Sequence, residues 1–357
     1  MMYAEIQTTS FRPEVQGHGE YHSIIRIPQA GCPFDEQLDA VVDALGGIAR
    51  RDGTEIRLVR FFLSDAANQK PAIVVALDGC EFPVSYVQQP PLDGTKLAAW
   101  VYSVDVHESP YEYLWMADMA AEGADSEAQM AGIFTDYEKS LAERGMSVAE
   151  NCVRTWIFVR DIDLNYHGVV KGRRDYFNTI GLTSDTHYIA STGIEGRDAD
   201  PKLLVTMDAL AVRGLAREQI QHLYALDHLN RTSDYGVTFE RGTAIHYADR
   251  THAFISGTAS IDSKGDVLHV GDVCMQTWRM LENIEALLAE TGAGLKDIAM
   301  AVVYLRDTAD YKSVKDIISS RCPCLNAEYV LAPVCRPAWL VEMECIAVFR
   351  RPDSVVQ

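Results

Sequence analysis

The chain has 357 residues, of which 48% are hydrophobic and 23% charged, and its formal net charge is −19. The length predicts two or three domains. The composition is that of a folded globular protein, which excludes disorder as the main state. The charge argues against nucleic-acid binding, because phosphate backbones are bound by basic surfaces, and no apolar run reaches the ~18 residues of a membrane span.

The start of the chain predicts where the protein resides. Glu5 lies among the first residues, and no basic-then-apolar segment is present, so no secretory signal is expected and the protein is predicted to be cytoplasmic. The eight cysteines are then expected to be free thiols. Cys322 and Cys324 form a single C-x-C with no second pair at zinc-site spacing, so no metal site is predicted.

The first predicted elements form a partial copy of a unit in residues 1–105. A helix with one apolar side is predicted over 35–50 and a buried strand over 54–66. The apolar run 71–77 has the length of a strand, and a loop is predicted over 89–94.

Two fuller copies follow along the chain, each in the order strand, helix, strand, helix, strand. The second copy is predicted as strand 112–118, helix 127–144, strand 149–162, helix 166–180, a loop from 193 to 201, and strand 203–207. The third copy is predicted as strand 252–261, a turn at 263–266, helix 273–290 ended by Gly292, strand 295–308, helix 311–320 and strand 339–348.

The central strands of the three copies share a local pattern of apolar, aromatic and apolar residues, then one variable residue and Asp. It occurs at 61–65, 157–161 and 303–307. Such an Asp is typical of a turn or a helix start. The repetition predicts an α+β fold in which helices pack on one face of a mixed sheet.

The motifs of the third copy resemble the RidA/YjgF family, also called endoribonuclease L-PSP-like. The likeness is carried by Phe254–Ile261, Gly271-Asp272, Val303–Asp307 and Leu340–Glu344. Members of that family are small α+β domains of chorismate mutase-like fold that assemble as trimers with ligand clefts between subunits. The resemblance implies tandem domains, an N-terminal one over 1–238 and a C-terminal one over 239–357, and a homotrimer.

A narrower resemblance runs from about residue 90 to 348. Several short motifs, in the same order along the chain, are similar to those of chorismatases, tandem RidA-like enzymes that hydrolyse chorismate to pyruvate and a cyclohexadiene or hydroxybenzoate. These motifs are Arg154–Trp156, Tyr166 with Gly172-Arg173, Ala190–Ile194, Tyr235-Gly236, Phe239–Thr243, Cys335-Arg336 and Leu340–Glu342.

Glu342 is the predicted catalytic residue. It lies on an apolar strand, where burial raises the pKa of a carboxyl group, as a general acid requires. Glu344 points to the same side of the strand and raises that pKa further. The resemblance implies that Glu342 is the proton donor. The alternative is a half-exposed strand whose glutamates face water.

The remaining candidates are expected to bind a small carboxylate substrate. Arginine suits this task because its planar guanidinium binds a carboxylate with two hydrogen bonds, although each of these arginines could equally lie on the surface. Tyrosine hydroxyls are expected to bind a ring hydroxyl or carboxylate, a cysteine to shape the pocket, and a glycine to allow close approach. These residues are Arg336, Arg241, Arg173, Tyr166, Tyr235, Cys335 and Gly257.

Two departures from the family patterns leave the function open. Only Val237-Thr238 separates Gly236 from Phe239, where chorismatases carry a longer insert with a basic residue. Residues 326–330 lack the Arg that imine deaminases carry upstream of the strand glutamate. The candidates are a cofactor-free hydrolase of chorismate or a related anionic enol ether, an imine or enamine deaminase, and a non-catalytic small-molecule-binding protein. A ribonuclease or translation inhibitor is disfavoured by the charge.

Overall fold

The structure is a computed structural model that describes residues 3–13, 18–51 and 53–350. Within these residues the chain forms three mixed β-sheets. The first unit, residues 5–105, has the sheet order β1-β2-β5-β3-β4. Its elements are β1 Glu5–Phe11, β2 Glu20–Arg26, α1 Phe34–Ala49, β3 Thr54–Leu63, α2 Ala66–Ala76, β4 Val84–Gln88 and β5 Leu97–Asp105.

The second and third units have the sheet orders β6-β9-β7-β8 and β10-β11-β12-β15-β13-β14. The second unit, residues 112–213, contains β6 Glu112–Met119, α3 Ser126–Ala142, α4 Val148–Asn151, β7 Cys152–Val159, α5 Ile162–Thr179, β8 Ala190–Glu195 and β9 Val205–Arg213. The third unit, residues 220–350, contains β10 Ile220–Leu223, β11 Gly242–His246, β12 Arg250–Ala259, α6 Val273–Ala289, β13 Ile298–Leu305, α7 Tyr311–Arg321, β14 Ala327–Leu331 and β15 Val341–Arg350.

One four-stranded arrangement recurs in all three units. The last strand of each unit (β5, β9 or β15) pairs antiparallel with the two strands beside it. The strand that follows α2, α5 or α7 (β4, β8 or β14) is added at the edge in parallel. Residues 20–105 therefore carry the same order of elements as the other two units. Since β10 already pairs into the third sheet, that sheet begins before residue 239; the division into domains at 238/239 stays a prediction.

The alternation of side chains along each strand builds two layers of core. In β7, Ile157 and Val159 pack against the helices of the second unit. Trp156 and Phe158 point to the opposite side, into a core shared by all three sheets. Trp156 there lies near Trp100 of the first unit, with ring centroids 6.2 Å apart. The helices thus cover the outer face of the sheets, and the inner faces meet at a common centre.

The predicted turns and caps are confirmed at several places. Asp65 and Asp307 each accept a hydrogen bond from a backbone N–H at the start of the following helical turn, as the strand–Asp pattern predicts. Gly265 at the predicted hairpin turn and Gly292 after α6 have positive φ, which glycine adopts without strain.

Two local expectations are corrected. The apolar run 71–77 is strand-like in length, but residues 66–76 form helix α2, which begins at the Asp65 cap and leaves Val75 exposed. The loop predicted from residue 193 begins too early, because Gly193 lies inside β8, paired with Ile157 of β7. Within the described residues, no helix combines the length and the hydropathy that crossing a membrane requires.

Candidate active site

The predicted site residues meet in a cleft between the second and third units. The second unit contributes α5 and β8, and the third contributes β12, β15 and the loop after β14. The predicted residues that line the cleft are Tyr166, Arg173, Arg241, Gly257, Cys335, Arg336 and Glu342. Tyr235 is the remaining one, and its side chain lies outside the described part of the chain. The roles of these residues stay predictions.

Glu342 is a buried carboxyl group at the floor of the cleft, and 5% of its surface is exposed. Burial raises the pKa of Glu342 to about 8, and the nearby charge of Glu344 acts in the same direction. Arg241 and Arg154 lower it by less. A carboxyl group with this pKa is mostly protonated at neutral pH and is available as a proton donor.

Gly257 makes room for this carboxyl group. It lies where the pairing of β12 with β15 is irregular, between Ile255 and Thr258. A Cβ atom on Gly257 would lie 2.3 Å from Oε1 of Glu342, a distance that no real contact allows. The backbone N–H of Gly257 donates to Oγ1 of Thr192 at 2.9 Å, which ties β12 to the second unit. A side chain at position 257 is therefore incompatible with the present position of Glu342.

Glu344 lies deeper, where the three units meet. Nη2 of Arg154 donates to its Oε2 at 2.7 Å, and Nε1 of Trp156 donates to its Oε1 at 2.9 Å. Arg60 of the first unit lies 3.8 Å away and forms a two-bond salt bridge with Asp208. Glu342 and Glu344 were predicted to point to the same side of their strand, and the contacts of Glu344 agree with this prediction. They keep a negative charge close to Glu342.

Two arginines of the cleft are held by neighbouring polar groups. Arg241 donates to the carbonyl oxygen of Asn230 at 3.2 and 3.3 Å and to its Oδ1 at 3.0 Å. Arg173 donates through Nε to Thr238 at 3.0 Å and through Nη1 to Ser191 at 3.2 Å. Both side chains are buried. Their guanidinium groups are thus fixed before any ligand arrives, which lowers the entropy cost of binding an anion.

The loop after β14 completes the wall of the cleft. The guanidinium carbon of Arg336 lies 4.8 Å from the ring centre of Trp339, within cation–π range. Burial, with the charge of Glu342, raises the pKa of the Cys335 thiol to about 12, although a hydrogen bond with Tyr166 acts in the opposite direction. Cys335 therefore remains a thiol at neutral pH, which suits a wall of the pocket rather than a nucleophile.

The cleft is narrow in this structure. Its volume is about 40 Å³, which is room for only a few water molecules. Val237 and Phe239 line its third-unit side, in the segment that is short compared with the chorismatase pattern. A substrate larger than a few atoms therefore requires the cleft to widen.

Only one of three equivalent positions carries this carboxylate. Glu342 is the second residue of its strand and lies opposite Tyr304. The second residues of β9 and β5 are Thr206 and Ala98, which lie opposite the corresponding residues of their own sheets. Of these three equivalent strand positions, the one on β15 therefore carries an ionisable side chain, and those on β9 and β5 do not.

Ion pairs lie at the two other boundaries between units. Lys70 follows the Asp65 cap at the same spacing as Tyr166 follows Asp161, and its Nζ contacts Asp118 at 2.7 Å and Asp198 at 2.5 Å. Between the third and first units, Nε of Arg26 lies 2.9 Å from Oε2 of Glu328. These contacts join the first unit to the second and to the third.

Sequence reasoning missed several residues that support the site. Arg154 and Thr192 stood in motifs that resemble chorismatases but had no assigned role, and Asn230 carried no signal at all. The hydrogen bond from Arg154 to Oγ1 of Thr192, at 2.6 Å, links the Glu344 pair to the wall of the cleft. Among the described residues, no group of three or more His, Cys, Asp or Glu side chains is placed to hold a metal ion.

Comparisons with known proteins identify relatives of this chain. The family model described as endoribonuclease L-PSP matches residues 243–349. The 3-aminoacrylate deaminase RutC of Acinetobacter baylyi is 34% identical over 96 residues, which cover 26% of this chain and 76% of that protein. A RutC family protein of Pyrococcus abyssi is 35% identical over 96 residues, with the same coverage.

One solved structure resembles nearly the whole chain. A chorismatase crystal structure superimposes with a TM-score of 0.68 and 19% sequence identity, covering 92% of this chain and 98% of that one. At this identity the likeness shows a shared fold. Together with the sequence relatives, it establishes that the chain belongs to the RidA/YjgF family, the endoribonuclease L-PSP family.

Proposed function

We propose that this protein is a cofactor-free hydrolase of a small anionic enol ether such as chorismate, and that Glu342 is its general acid. The observation that carries this proposal is a buried carboxyl group, with its pKa raised to about 8, in a cleft that is also lined by Arg173, Arg241 and Arg336. The shared fold with a chorismatase supports it.

The first step is a proton transfer from Glu342 to carbon. The proton goes to the methylene carbon of the enol ether, the C=C electron pair forms the new C–H bond, and an oxocarbenium ion remains. Water then adds to the cationic carbon and loses a proton, which restores the acid form of Glu342. The hemiketal collapses to pyruvate and the free alcohol, so that one water molecule is consumed for each ether cleaved.

The arginines and Glu344 have opposite effects on the ionisation of Glu342 in this step. Guanidinium groups bind the substrate carboxylates, and Arg241 also stabilises the Glu342 carboxylate that forms when the proton leaves. The Glu344 charge favours the protonated form of Glu342 before the reaction. Because Arg154 and Trp156 hold Glu344 in place, this charge does not depend on the substrate.

A second candidate is a deaminase of a small enamine acid. Two observations favour it: the volume of about 40 Å³ suits a molecule much smaller than chorismate, and a curated relative is a 3-aminoacrylate deaminase. The first step is the same, because protonation of the enamine carbon by Glu342 gives an iminium ion. Water then adds to that ion, and ammonia leaves. The missing Arg in 326–330 counts against this candidate.

Product analysis separates the two functions. Purified protein is incubated with chorismate, and separately with a small enamine acid, and pyruvate and ammonia are measured by coupled enzyme assays. The hydrolase is supported if pyruvate is released from chorismate above the buffer rate. This release should be lost in Glu342→Gln and retained in the exposed control Glu282→Gln. Ammonia release with the same dependence supports the deaminase and overturns the hydrolase.

The absence of both products would favour a non-catalytic binding protein. If neither substrate is turned over but a carboxylate still binds and raises the thermal midpoint, the protein is a binding protein and Glu342 is not an acid catalyst. The predicted homotrimer is tested separately by light scattering coupled to size-exclusion chromatography, where a mass three times the 39.7 kDa of the chain supports it.

A further inference from the structure

A second and larger cavity lies at the opposite end of the central core. Its volume is about 520 Å³, within the range of small-molecule sites in proteins. Arg250 and His252, at the start of β12, lie on its wall, whereas Ala259 at the end of β12 pairs with Glu342. Gly257 is the first residue of β12 that lines the candidate active site, and it follows His252 by five residues, so about 17 Å of strand separates the two linings at 3.3 Å per residue.

The cavity has walls of aromatic rings that come from all three units. Tyr102 belongs to β5, Trp115 to β6, and Tyr247 to the turn between β11 and β12. The rings of Tyr102 and Trp115 have centroids 5.3 Å apart, and those of Tyr111 and Tyr247 are 5.0 Å apart in an edge-to-face arrangement. Such rings present electron-rich faces, which attract cations and planar rings.

The charged groups of the cavity favour a positive ligand. Its lining carries four carboxylate side chains and two guanidinium groups. Both arginines are already in ion pairs: Arg250 with Glu20 at 3.0 Å and Asp249 at 2.8 Å, and Arg57 with Glu55 at 3.0 Å. An anion would have to compete with these carboxylates, in a protein whose net charge is −19. Three of the four carboxylates are paired as well, since Glu20 and Asp249 contact Arg250 and Glu112 contacts Arg213. A bound cation would therefore be stabilised by Glu108 and by the aromatic walls.

We propose that this cavity binds a small organic cation with an aromatic or apolar body, such as an ammonium or a protonated nitrogen heterocycle. The positive group lies against the tyrosine faces and the carboxylates, and the body fills the space between Trp115 and Tyr247. This site is separate from the proposed acid catalysis and does not depend on it.

Benzyltrimethylammonium is a suitable probe, because it has a permanent charge and one aromatic ring. Its binding is measured by isothermal titration calorimetry on the full chain, with phenylacetate as an anion of similar size. Tyr111→Leu removes one ring of the wall, and Tyr111→Phe is the matched control that keeps the ring and loses only the hydroxyl, which accepts a hydrogen bond from Gln219.

The expected result is saturable binding of the cation, weakened about threefold to thirtyfold by Tyr111→Leu, which is the range of one cation–π contact. Tyr111→Phe and Glu342→Gln bind as the wild type does. The proposal is overturned if the cation does not saturate, if phenylacetate binds as tightly, or if Glu342→Gln alone changes the affinity, since that would place the probe in the other cleft.

Discussion

The buried acid Glu342 predicts a stability difference that needs no substrate to be measured. Glutamine has nearly the same shape as glutamic acid but does not titrate. Glu342→Gln therefore removes the ionisation and keeps most of the packing. In the wild type, raising the pH forces a charge into the buried cleft, and in the variant it does not. We expect the variant to become the more stable protein at high pH.

The sign and size follow from the pKa. The pKa of Glu342 is about 8 in the folded chain, against an ordinary value of 4.5, so folding takes up a proton between these two pH values. The stabilisation of the folded chain by this proton uptake is complete below pH 4.5 and is lost as the pH rises to about 8. At 1.36 kcal/mol per pH unit, the loss is at most about 5 kcal/mol. For a chain of this length that is about 6 °C in thermal midpoint.

The assay is thermal unfolding of wild type and Glu342→Gln at closely spaced pH values from 4.5 to 9. The difference in midpoint should shift in favour of the variant across this range and level off above pH 8. The exposed Glu282→Gln should follow the wild type at every pH. A constant difference between wild type and Glu342→Gln would show that Glu342 titrates as an ordinary carboxyl group, and the reasoning would fail.

Three further predictions concern the surroundings of Glu342. Gly257→Ala should reduce turnover at least about 100-fold, because its Cβ would lie 2.3 Å from Oε1 of Glu342. Gly47→Ala is the control and should leave turnover unchanged, since no atom lies within 4 Å of the new Cβ. Equal rates for the two variants would contradict this prediction. Glu344→Gln should move the alkaline limit of activity to lower pH, because it removes a charge that raises the pKa of Glu342. It should also lower the free energy of unfolding by about 3–5 kcal/mol, because it breaks a buried ion pair with Arg154. An unchanged pH profile of activity would show that Glu344 does not influence the pKa of Glu342. Lys70→Met should lower the thermal midpoint, because it leaves Asp118 and Asp198 without their cation, and it should keep the turnover of the wild type. A loss of turnover in the folded variant would place chemistry near Lys70, between the first and second units.

The local elements were largely predictable because their signals are local. The strand–Asp pattern at 61–65 and 303–307 marks a buried strand followed by an N-cap, and both are present. Helix α6 carries apolar residues on one side and ends before Gly292. The exception is α2, where a run of aliphatic residues looks the same in a buried strand and in a half-exposed helix.

The centre of the molecule was not predictable, because its partners are far apart in sequence. Arg60 meets Asp208 across 148 positions, and Arg154 meets Glu344 across 190. An arginine inside an apolar strand is normally assigned to the surface, since burial of an unpaired charge costs so much. The site residues were grouped by resemblance to a family. Their packing into one cleft required the sheets of two units to face each other.

The most direct test of the central claim is the protonation state of Glu342. Infrared difference spectra of wild type minus Glu342→Gln isolate the carbonyl stretch of this one carboxylic acid. We predict that the band of the protonated acid is present at pH 7 and disappears with a midpoint near pH 8. A band that is already absent at pH 7, replaced by the carboxylate signal, would show an ionised Glu342 that has no proton to give to carbon.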